Sequence, residues 1–289
     1  MRRRLHRTRL GASVLATAAT GILVVAWARA AVQRPPRPRL GDNVSCADYR
    51  GLPPGWPGDP QASMVLVAGG SFTPGSAHGY ADERPGGRAA VAPFFIDRTE
   101  VTNAQFAAIV RATGHVTEAE RAGESAVFVA PAHDDVSPGS WWRPVKGASW
   151  RHPDGSGSSV VGRENHPVVH VTQADARAYA GWLGNRLPSE AEWEFAARGG
   201  RDLPAEDGRP RDARGRPAAN YWQGSFPTVN AREDGFALSA PVGCYAATSL
   251  GLYDVIGNVW EWTTDGYRDR ASSPTGACHP AAAAIGAQV

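Results

Sequence analysis

Lysine is almost absent from this sequence of 289 residues, because 29 of its 30 basic residues are arginine and Lys146 is the exception. Cysteine occurs only three times, and no two cysteines have the C-x-x-C spacing of a structural zinc site. The chain contains 33 glycines and 23 prolines, well above the usual share, which argues against a helical bundle or a coiled coil. Ten tryptophans and 42% hydrophobic residues argue against global disorder.

Acidic residues are missing from residues 1–40, which carry nine arginines. Residues 41–289 carry 21 basic and 28 acidic residues, a net charge of −7. A protein that binds nucleic acid should carry its positive charge on the folded domain. We therefore expect no nucleic-acid partner.

The N-terminus has the pattern of an export signal. Five arginines precede an uncharged stretch of 19 residues, Leu10 to Ala28, which is long enough to cross a bilayer. Residues 1–32 are predicted to be a signal peptide or a signal anchor, and both alternatives stay open. Either one places the rest of the chain outside the cytoplasm, secreted or membrane-anchored through this segment. Residues 33–60 are rich in proline and arginine and are predicted to be a linker, and residues 61–289 the folded domain.

Short strands and capped helices alternate with long loops in residues 61–289. The apolar runs at Met64–Val67 and Phe94–Ile96 are typical of strands. Capping boxes predict helices that begin after Thr102, Thr172 and Ser189. The remainder is mostly loop, so we predict a loop-rich α+β fold.

Bound calcium is one physical way to hold long loops in place, and the sequence has two segments rich in oxygen ligands. The first combines residues 220–224 with residues 234–236, and the second is residues 254–261. Carboxylates, amides and backbone carbonyls on glycine-bearing turns suit a hard cation. Neither segment has the spacing of an EF-hand, and the alternative is that these Asp and Asn side chains simply form Asx turns.

Several segments carry a resemblance to a known family. Residues 185–194 (NRLPSEAEWE) and 251–262 (GLYDVIGNVWEW) resemble motifs shared across the superfamily of formylglycine-generating enzymes, the sulfatase-modifying factors. Residues 141–153, 166–171 and 220–236 are similar to the formylglycine-generating branch in particular. The resemblance covers about residues 62–270.

This resemblance implies a C-type-lectin-like α+β fold with little regular secondary structure and two structural Ca²⁺ sites at the segments above. It implies oxidation, by O₂ at a Cu(I) ion, of a cysteine in a C-x-P-x-R motif of a sulfatase polypeptide, which would be the partner, to Cα-formylglycine. The implied calcium ligands of the first site are Asn220, Tyr221, Asp234 and Phe236, and those of the second are Asp254, Gly257, Val259 and Glu261.

The two copper-binding cysteines of the family are missing from this sequence. Cu(I) prefers soft thiolates, and an odd number of cysteines in an exported chain leaves one free or paired with another chain. Cys278 stands alone next to His279, and Cys244 is expected to be structural. Residues 61–289 are thus expected to be a sulfatase-modifying-factor domain without its C-terminal cysteine segment, inactive as an oxidase by itself. Either the sequence is part of a longer oxidase, or it is a non-catalytic, calcium-stabilised lectin-like binding module.

Two further groups of residues have open interpretations. His166 and His170 alternate with apolar residues on a predicted strand and are expected to be hydrogen-bonded core histidines rather than metal ligands. Trp141, Trp142 and Trp150 either belong to the core or line a groove for a peptide.

Overall fold

A computed structural model describes residues 40–42, 44–77, 83–131, 137–201 and 209–267. The predicted leader, residues 1–32, and Cys278 lie outside these residues. The chain divides after Arg37, and all of the described residues belong to the second unit, Pro38–Val289. Within the described ranges, no helix has the length and apolar character needed to cross a bilayer.

The described strands form three short antiparallel pairs. The predicted strands at Met64 and Phe94 are confirmed, and they pair with each other so that Val67 faces Phe94 in the core. The pairs are β1 (Met64–Val67) with β4 (Phe94–Asp97), β2 (Gly70–Phe72) with β3 (Ala89–Val91), and β5 (Glu124–Phe128) with β6 (Trp142–Lys146).

The helices begin where capping boxes predict them. The described helices are α1 (Asn103–Thr113), α2 (Glu118–Ala122), α3 (Gln173–Trp182) and α4 (Glu190–Ala197). In each, a Thr or Ser at the N-cap accepts from the backbone N–H at N3, while the N3 side chain accepts from the N-cap N–H. The helix α2 has the same signal at Thr117, although we did not predict a helix there. The fold is α+β and loop-rich, as predicted.

Two hydrophobic clusters form most of the core. The first packs the sheet residues Val67, Phe72 and Phe94 against Phe195 of α4 and Leu252. The second packs Phe106 and Ile109 of α1 against Tyr179 of α3, together with Trp150 and Trp56. Trp150 is 1% exposed, so this tryptophan belongs to the core rather than to a groove.

The described part of the predicted linker is folded. Cys46, Tyr49 and Trp56 are buried, and Cys46 forms a disulfide with Cys244. Burial of these side chains outweighs the extended preference of the prolines, so the domain begins near residue 40 rather than at residue 61. Proline-rich composition indicated a linker here because it reports backbone preference and not long-range packing.

Candidate functional site

The four predicted residues of the first calcium site lie together. Asn220 and Asp234 are 6% and 5% exposed. One carboxylate oxygen of Asp234, Oδ2, accepts from the N–H of Tyr221 at 3.3 Å, and the other, Oδ1, accepts from the N–H of Phe236 at 2.9 Å. The carboxylate of Asp234 therefore joins the two loop segments that sequence reasoning had paired.

Gln223 is a residue of this site that sequence reasoning missed. Its amide Nε2 donates to Asp234 Oδ2 at 2.7 Å and also contacts the carbonyl oxygen of Tyr221. Two of the predicted ligand oxygens therefore converge on one donor atom. Gln223 is only 3% exposed. Its partly positive amide NH₂ group therefore occupies a small polar pocket between these two oxygens. The signal available in the sequence was the position of Gln223 between the predicted ligands Tyr221 and Asp234.

The two predicted calcium sites are in direct contact through Asn220. Its Nδ2 donates to the side-chain oxygen of Asn258 at 2.9 Å, and its carbonyl accepts from the N–H of Asn258 at 2.8 Å. Gly257 forms a parallel bridge with Asn220. A Cβ added to Gly257 would lie 2.0 Å from the carbonyl oxygen of Asn220, so only glycine permits this approach.

The acidic residues of the second site occupy different environments. Asp254 is 8% exposed and its Oδ2 accepts from the N–H of Gly243 at 2.5 Å. Glu261 accepts a hydrogen bond from Trp193 and is exposed, because it lines an open cavity. Burial raises the pKa of Asp254 to about 6. Partial desolvation at the cavity wall and the nearby Asp254 charge raise the pKa of Glu261 above its usual value. Water in the cavity screens Glu261 more than it screens Asp254.

Glu100 is a third carboxylic acid at the second site, and sequence reasoning missed it. It lies between β4 and α1 and is 6% exposed. Burial, and then the charges of Asp254 and Glu261, raise its pKa well above the usual range. The charges of Asp254 and Glu261 thus disfavour the ionised form of Glu100, and nearby positive charge would favour it.

The arrangement suits calcium better than a transition metal. Among the described residues, no three His, Cys, Asp or Glu side chains converge on one point as a ready-made metal centre. The first predicted calcium site instead combines one carboxylate, and the second two, with amide or carbonyl oxygens, which is the donor set that Ca²⁺ prefers. The oxygens of Asp234, Tyr221 and Asp254, each of which accepts a hydrogen bond, are thus of the type that fits the hard cation that the sequence predicted.

The copper site does not fit residues 1–289. The sequence has three cysteines, and Cys46 and Cys244 are joined in a disulfide whose residues are each 1% exposed. Both thiolates are therefore consumed, and Cys278 is the one cysteine left. A single thiolate cannot supply the pair that the resemblance implies.

A cavity of about 660 Å³ opens beside the second site. Its walls are largely aromatic and aliphatic, and carboxyl groups lie among them. The polar and aromatic lining includes Asp97, Glu100, Glu261, Tyr253, Trp260 and Trp262. Trp260 is 66% exposed, and sequence reasoning had not singled out this side chain.

The histidines are hydrogen-bonded as predicted, but the predicted strand is absent. The ring of His170 contacts Ser125 Oγ at 2.9 Å and the carbonyl oxygen of Pro153 at 2.8 Å, and that of His166 contacts Ser239 Oγ at 3.2 Å. His170 has φ of +57°, which a strand does not accommodate.

Trp141 and Trp142 belong to an aromatic cluster at the surface. Trp142 packs edge-on against Phe128, and Trp141 packs against Phe226, which is 42% exposed. Trp222 completes the cluster. These two tryptophans are only partly buried, so the groove interpretation stays a prediction for them.

Comparison with known proteins identifies the family of this chain. The model of the sulfatase-modifying factor enzyme 1-like domain matches residues 51–284. A formylglycine-generating enzyme of Streptomyces coelicolor is 49% identical over 229 residues, 73% of this chain and 72% of that protein. A formylglycine-generating enzyme of Thermomonospora curvata is 50% identical over 214 residues, 70% and 71% of the two chains. An inactive C-alpha-formylglycine-generating enzyme 2 of Bos taurus is 42% identical over 218 residues, 71% of each chain. The chain therefore belongs to the family of the sulfatase-modifying factor enzyme 1-like domain, among the formylglycine-generating enzymes.

Proposed function

We propose that this protein acts in sulfatase maturation, on the cysteine of a C-x-P-x-R motif that becomes Cα-formylglycine in a reaction with O₂. The support is the identity of about half of the aligned residues with proteins named formylglycine-generating enzyme. The motif of the substrate comes from the resemblance of residues 141–153, 166–171 and 220–236 to that branch of the family.

Residues 1–289 form the substrate-binding scaffold of this activity and do not oxidise by themselves. The observation that carries this proposal is the disulfide between Cys46 and Cys244, which leaves one cysteine for a metal that needs two thiolates. Oxidation of the sulfatase cysteine then requires a thiolate pair from outside residues 1–289.

Two structural calcium ions complete the scaffold in our proposal. Asn220, Tyr221, Asp234 and Phe236 would hold the first, and Asp254, Gly257, Val259 and Glu261 the second. The support is the convergence of ligand oxygens on Gln223 Nε2 and the crowding of carboxyl groups around Asp254. Each ion would supply positive charge that keeps long loops packed together and would take no part in the chemistry.

We further propose that the domain works outside the cytoplasm. A buried disulfide persists in an oxidising compartment, and the arginine-rich leader has the pattern of an export signal. The sulfatase polypeptide would then have to reach the same compartment unfolded, so that the motif is accessible as an extended segment.

A second candidate function is a non-catalytic binding module. The relative of Bos taurus at 42% identity carries the name of an inactive C-alpha-formylglycine-generating enzyme 2, and residues 1–289 lack the thiolate pair. In that case the calcium-stabilised domain would bind a polypeptide partner without redox chemistry.

A peptide assay tests the proposed function. Residues 1–289 are incubated with a fluorescent C-x-P-x-R peptide, Cu(I) and O₂, and binding is followed by anisotropy and conversion by mass spectrometry. We expect binding that weakens when Pro and Arg of the peptide are replaced by Ala, and no conversion. Conversion would overturn the scaffold assignment, and absence of motif-dependent binding would overturn the sulfatase partner.

C-terminal peptide mapping of the protein from its own cell then separates the two candidates. Peptides that continue beyond Val289 into a cysteine-containing segment support the oxidase. A terminal peptide that ends at Val289 supports the binding module.

A further inference from the structure

The cavity beside the second predicted calcium site lies between the two hydrophobic clusters of the core. Phe94 and Leu252 of the first cluster form part of its wall, and Phe106 and Tyr179 of the second form another part. Its volume of about 660 Å³ is within the range of small-molecule sites, which are lined mainly by apolar and aromatic side chains with a few polar groups. The space between the clusters therefore has the size and the lining of a ligand pocket.

The strand β4 borders this cavity along its whole length. Its residues Phe94–Asp97 all belong to the wall, and β4 pairs only with β1 among the described strands. Successive side chains of a strand point to opposite faces, so Phe95 and Asp97 share one face of β4. Phe95 is 47% exposed. This face of β4 thus offers the cavity an exposed aromatic ring and a carboxylate.

Asp97 and Tyr179 supply polar groups with unused hydrogen-bonding capacity. Ser63 Oγ donates to Asp97 Oδ1, and no hydrogen bond within the described ranges reaches Asp97 Oδ2. Tyr179 is 5% exposed, and its buried hydroxyl has no hydrogen-bond partner among the described residues. Burial, and then the charge of Asp97, raise the pKa of Tyr179, so the two groups are neighbours in the wall. A buried polar group without a partner is rare in a native protein, and this one points to a ligand.

Positive charge is scarce in the wall of this cavity. Arg186 is the one basic side chain among its described lining residues, and Glu192 accepts from both terminal nitrogens of Arg186 at 2.7 Å. No ion pair of the described residues includes Asp97. Burial raises the pKa of Asp97, because its ionised form lacks the stabilisation that a nearby cation would give. The wall therefore complements a ligand that carries positive charge.

We propose that this cavity binds a protonated amine that carries an apolar, aromatic body. The ammonium group would donate to Asp97 Oδ2 and to the hydroxyl oxygen of Tyr179, and the body would pack against Phe95 and Trp260, which also line the cavity. Aromatic rings attract both cations and other aromatic groups, so one wall suits both parts of such a ligand. None of these four residues is a predicted calcium ligand, and amine binding is a function beyond sulfatase maturation.

Calorimetric titration with tryptamine tests this proposal on the full chain in saturating calcium. Tryptophol has the same indole body with a neutral hydroxyl in place of the ammonium group, so comparison of the two compounds isolates the effect of charge. We expect tryptamine to bind about 10-fold or more tightly than tryptophol, as is typical of hydrogen bonds to charged groups. Equal affinities would overturn the amine assignment. Failure of both compounds to bind would overturn the proposal as well and would leave a polypeptide segment as the occupant of the cavity.

Polar variants test the residues assigned to the ammonium group. D97N keeps the shape of the side chain but loses its charge, so it should weaken tryptamine binding about 10-fold and leave tryptophol binding unchanged. Y179F removes the second acceptor and should also weaken tryptamine more than tryptophol, which keeps the test open if D97N does not fold. E124Q is the matched control, because Glu124 is exposed on β5 and does not line the cavity. Tryptamine binding that is unchanged in D97N or in Y179F overturns the role of that residue.

Apolar variants test whether the compounds occupy the cavity. F95A should weaken the binding of tryptamine and of tryptophol, because both would pack their indole ring against Phe95. L66A is the control, since Leu66 is the cross-strand partner of Phe95 and is exposed but does not line the cavity. Equal effects of F95A and L66A would show that the compounds bind elsewhere and would overturn the proposal.

Discussion

Gly257 touches the backbone of Asn220, and this contact joins the two predicted calcium sites. Gly257 has φ of +79°, and a Cβ there would lie 2.0 Å from the carbonyl oxygen of Asn220. Asn220 belongs to the first site and Gly257 to the second. A change at Gly257 should therefore disturb both sites at once.

The substitution G257A should destabilise the domain by about 3 kcal/mol, from a left-handed backbone and a steric clash with Asn220. Chemical denaturation in saturating calcium measures this loss. The matched control is G162A, since Gly162 has φ of +82° but nothing within 4 Å of an added Cβ. G162A should cost only about 1 kcal/mol. Equal losses for the two variants would contradict the contact argument.

Removal of calcium should lower the melting temperature. A ligand that binds only the folded state stabilises it by about 2.7 kcal/mol per site at 100 times its dissociation constant. For a domain of this size each kcal/mol corresponds to about 2–4 °C. Scanning calorimetry with calcium and with EGTA should show a shift of several degrees, reduced in D234N. D212N serves as a control, because Asp212 binds Arg216 at an exposed turn away from both sites. An unchanged melting temperature in EGTA would contradict both sites.

Local signals made much of the fold predictable from the sequence. The caps at Thr102, Thr172 and Ser189 satisfy backbone N–H groups within three residues, so neighbouring residues alone are sufficient to locate three helices. The strand at Met64–Val67 is likewise visible as an apolar run that two glycines, Gly69 and Gly70, follow. The predicted ligands Asn220 and Asp234 are brought together, although the calcium itself stays a proposal.

Features that depend on distant contacts were not predictable. Cys46 and Cys244 are separated by 198 residues, and no local pattern pairs them. Glu100 becomes notable only when burial and the neighbouring Asp254 are known, because an isolated glutamate before a helix is ordinary. The segment at residues 40–60 has the composition of a linker, and burial of Trp56 in the second cluster reverses that interpretation.

Acid should destabilise the domain through its buried histidines. Burial lowers the pKa of His166 to about 4, and burial also lowers the pKa of His170. The folded state therefore favours the neutral rings, while the unfolded state takes up protons below pH 6.5. Stability is complete above pH 6.5 and falls as the pH drops towards 4, by about 2–3 kcal/mol from His166.

Denaturation in saturating calcium between pH 7 and 4.5 measures this loss. H166Q replaces the ring with a neutral side chain and should flatten the decline. H152Q is the comparison, because His152 is also hydrogen-bonded at its ring, to the carbonyl oxygen of Ser158. A decline of equal steepness in H166Q and the wild type would contradict the role of His166.

The disulfide should anchor the N-terminal segment to the loop of the second calcium site. Gly41 N–H donates to the carbonyl of Gly243 at 2.7 Å, and the next residue, Cys244, is bonded to Cys46. Gly243 in turn donates to Asp254. Loss of the disulfide in C46S with C244S should cost about 2–5 kcal/mol and weaken calcium binding at the second site more than at the first.

Thiol counts and calcium titrations check this expectation together. The denatured wild type without reductant should react at no more than one thiol per chain, and at three after reduction, because Cys46 and Cys244 are paired. C278S is the control, since it leaves the disulfide intact and should keep the stability and the calcium affinity of the wild type. Equal weakening of both calcium sites in the double variant would contradict this expectation, because it would show that the hydrogen bond from Gly243, next to Cys244, to Asp254 gives the second site no special dependence on the disulfide.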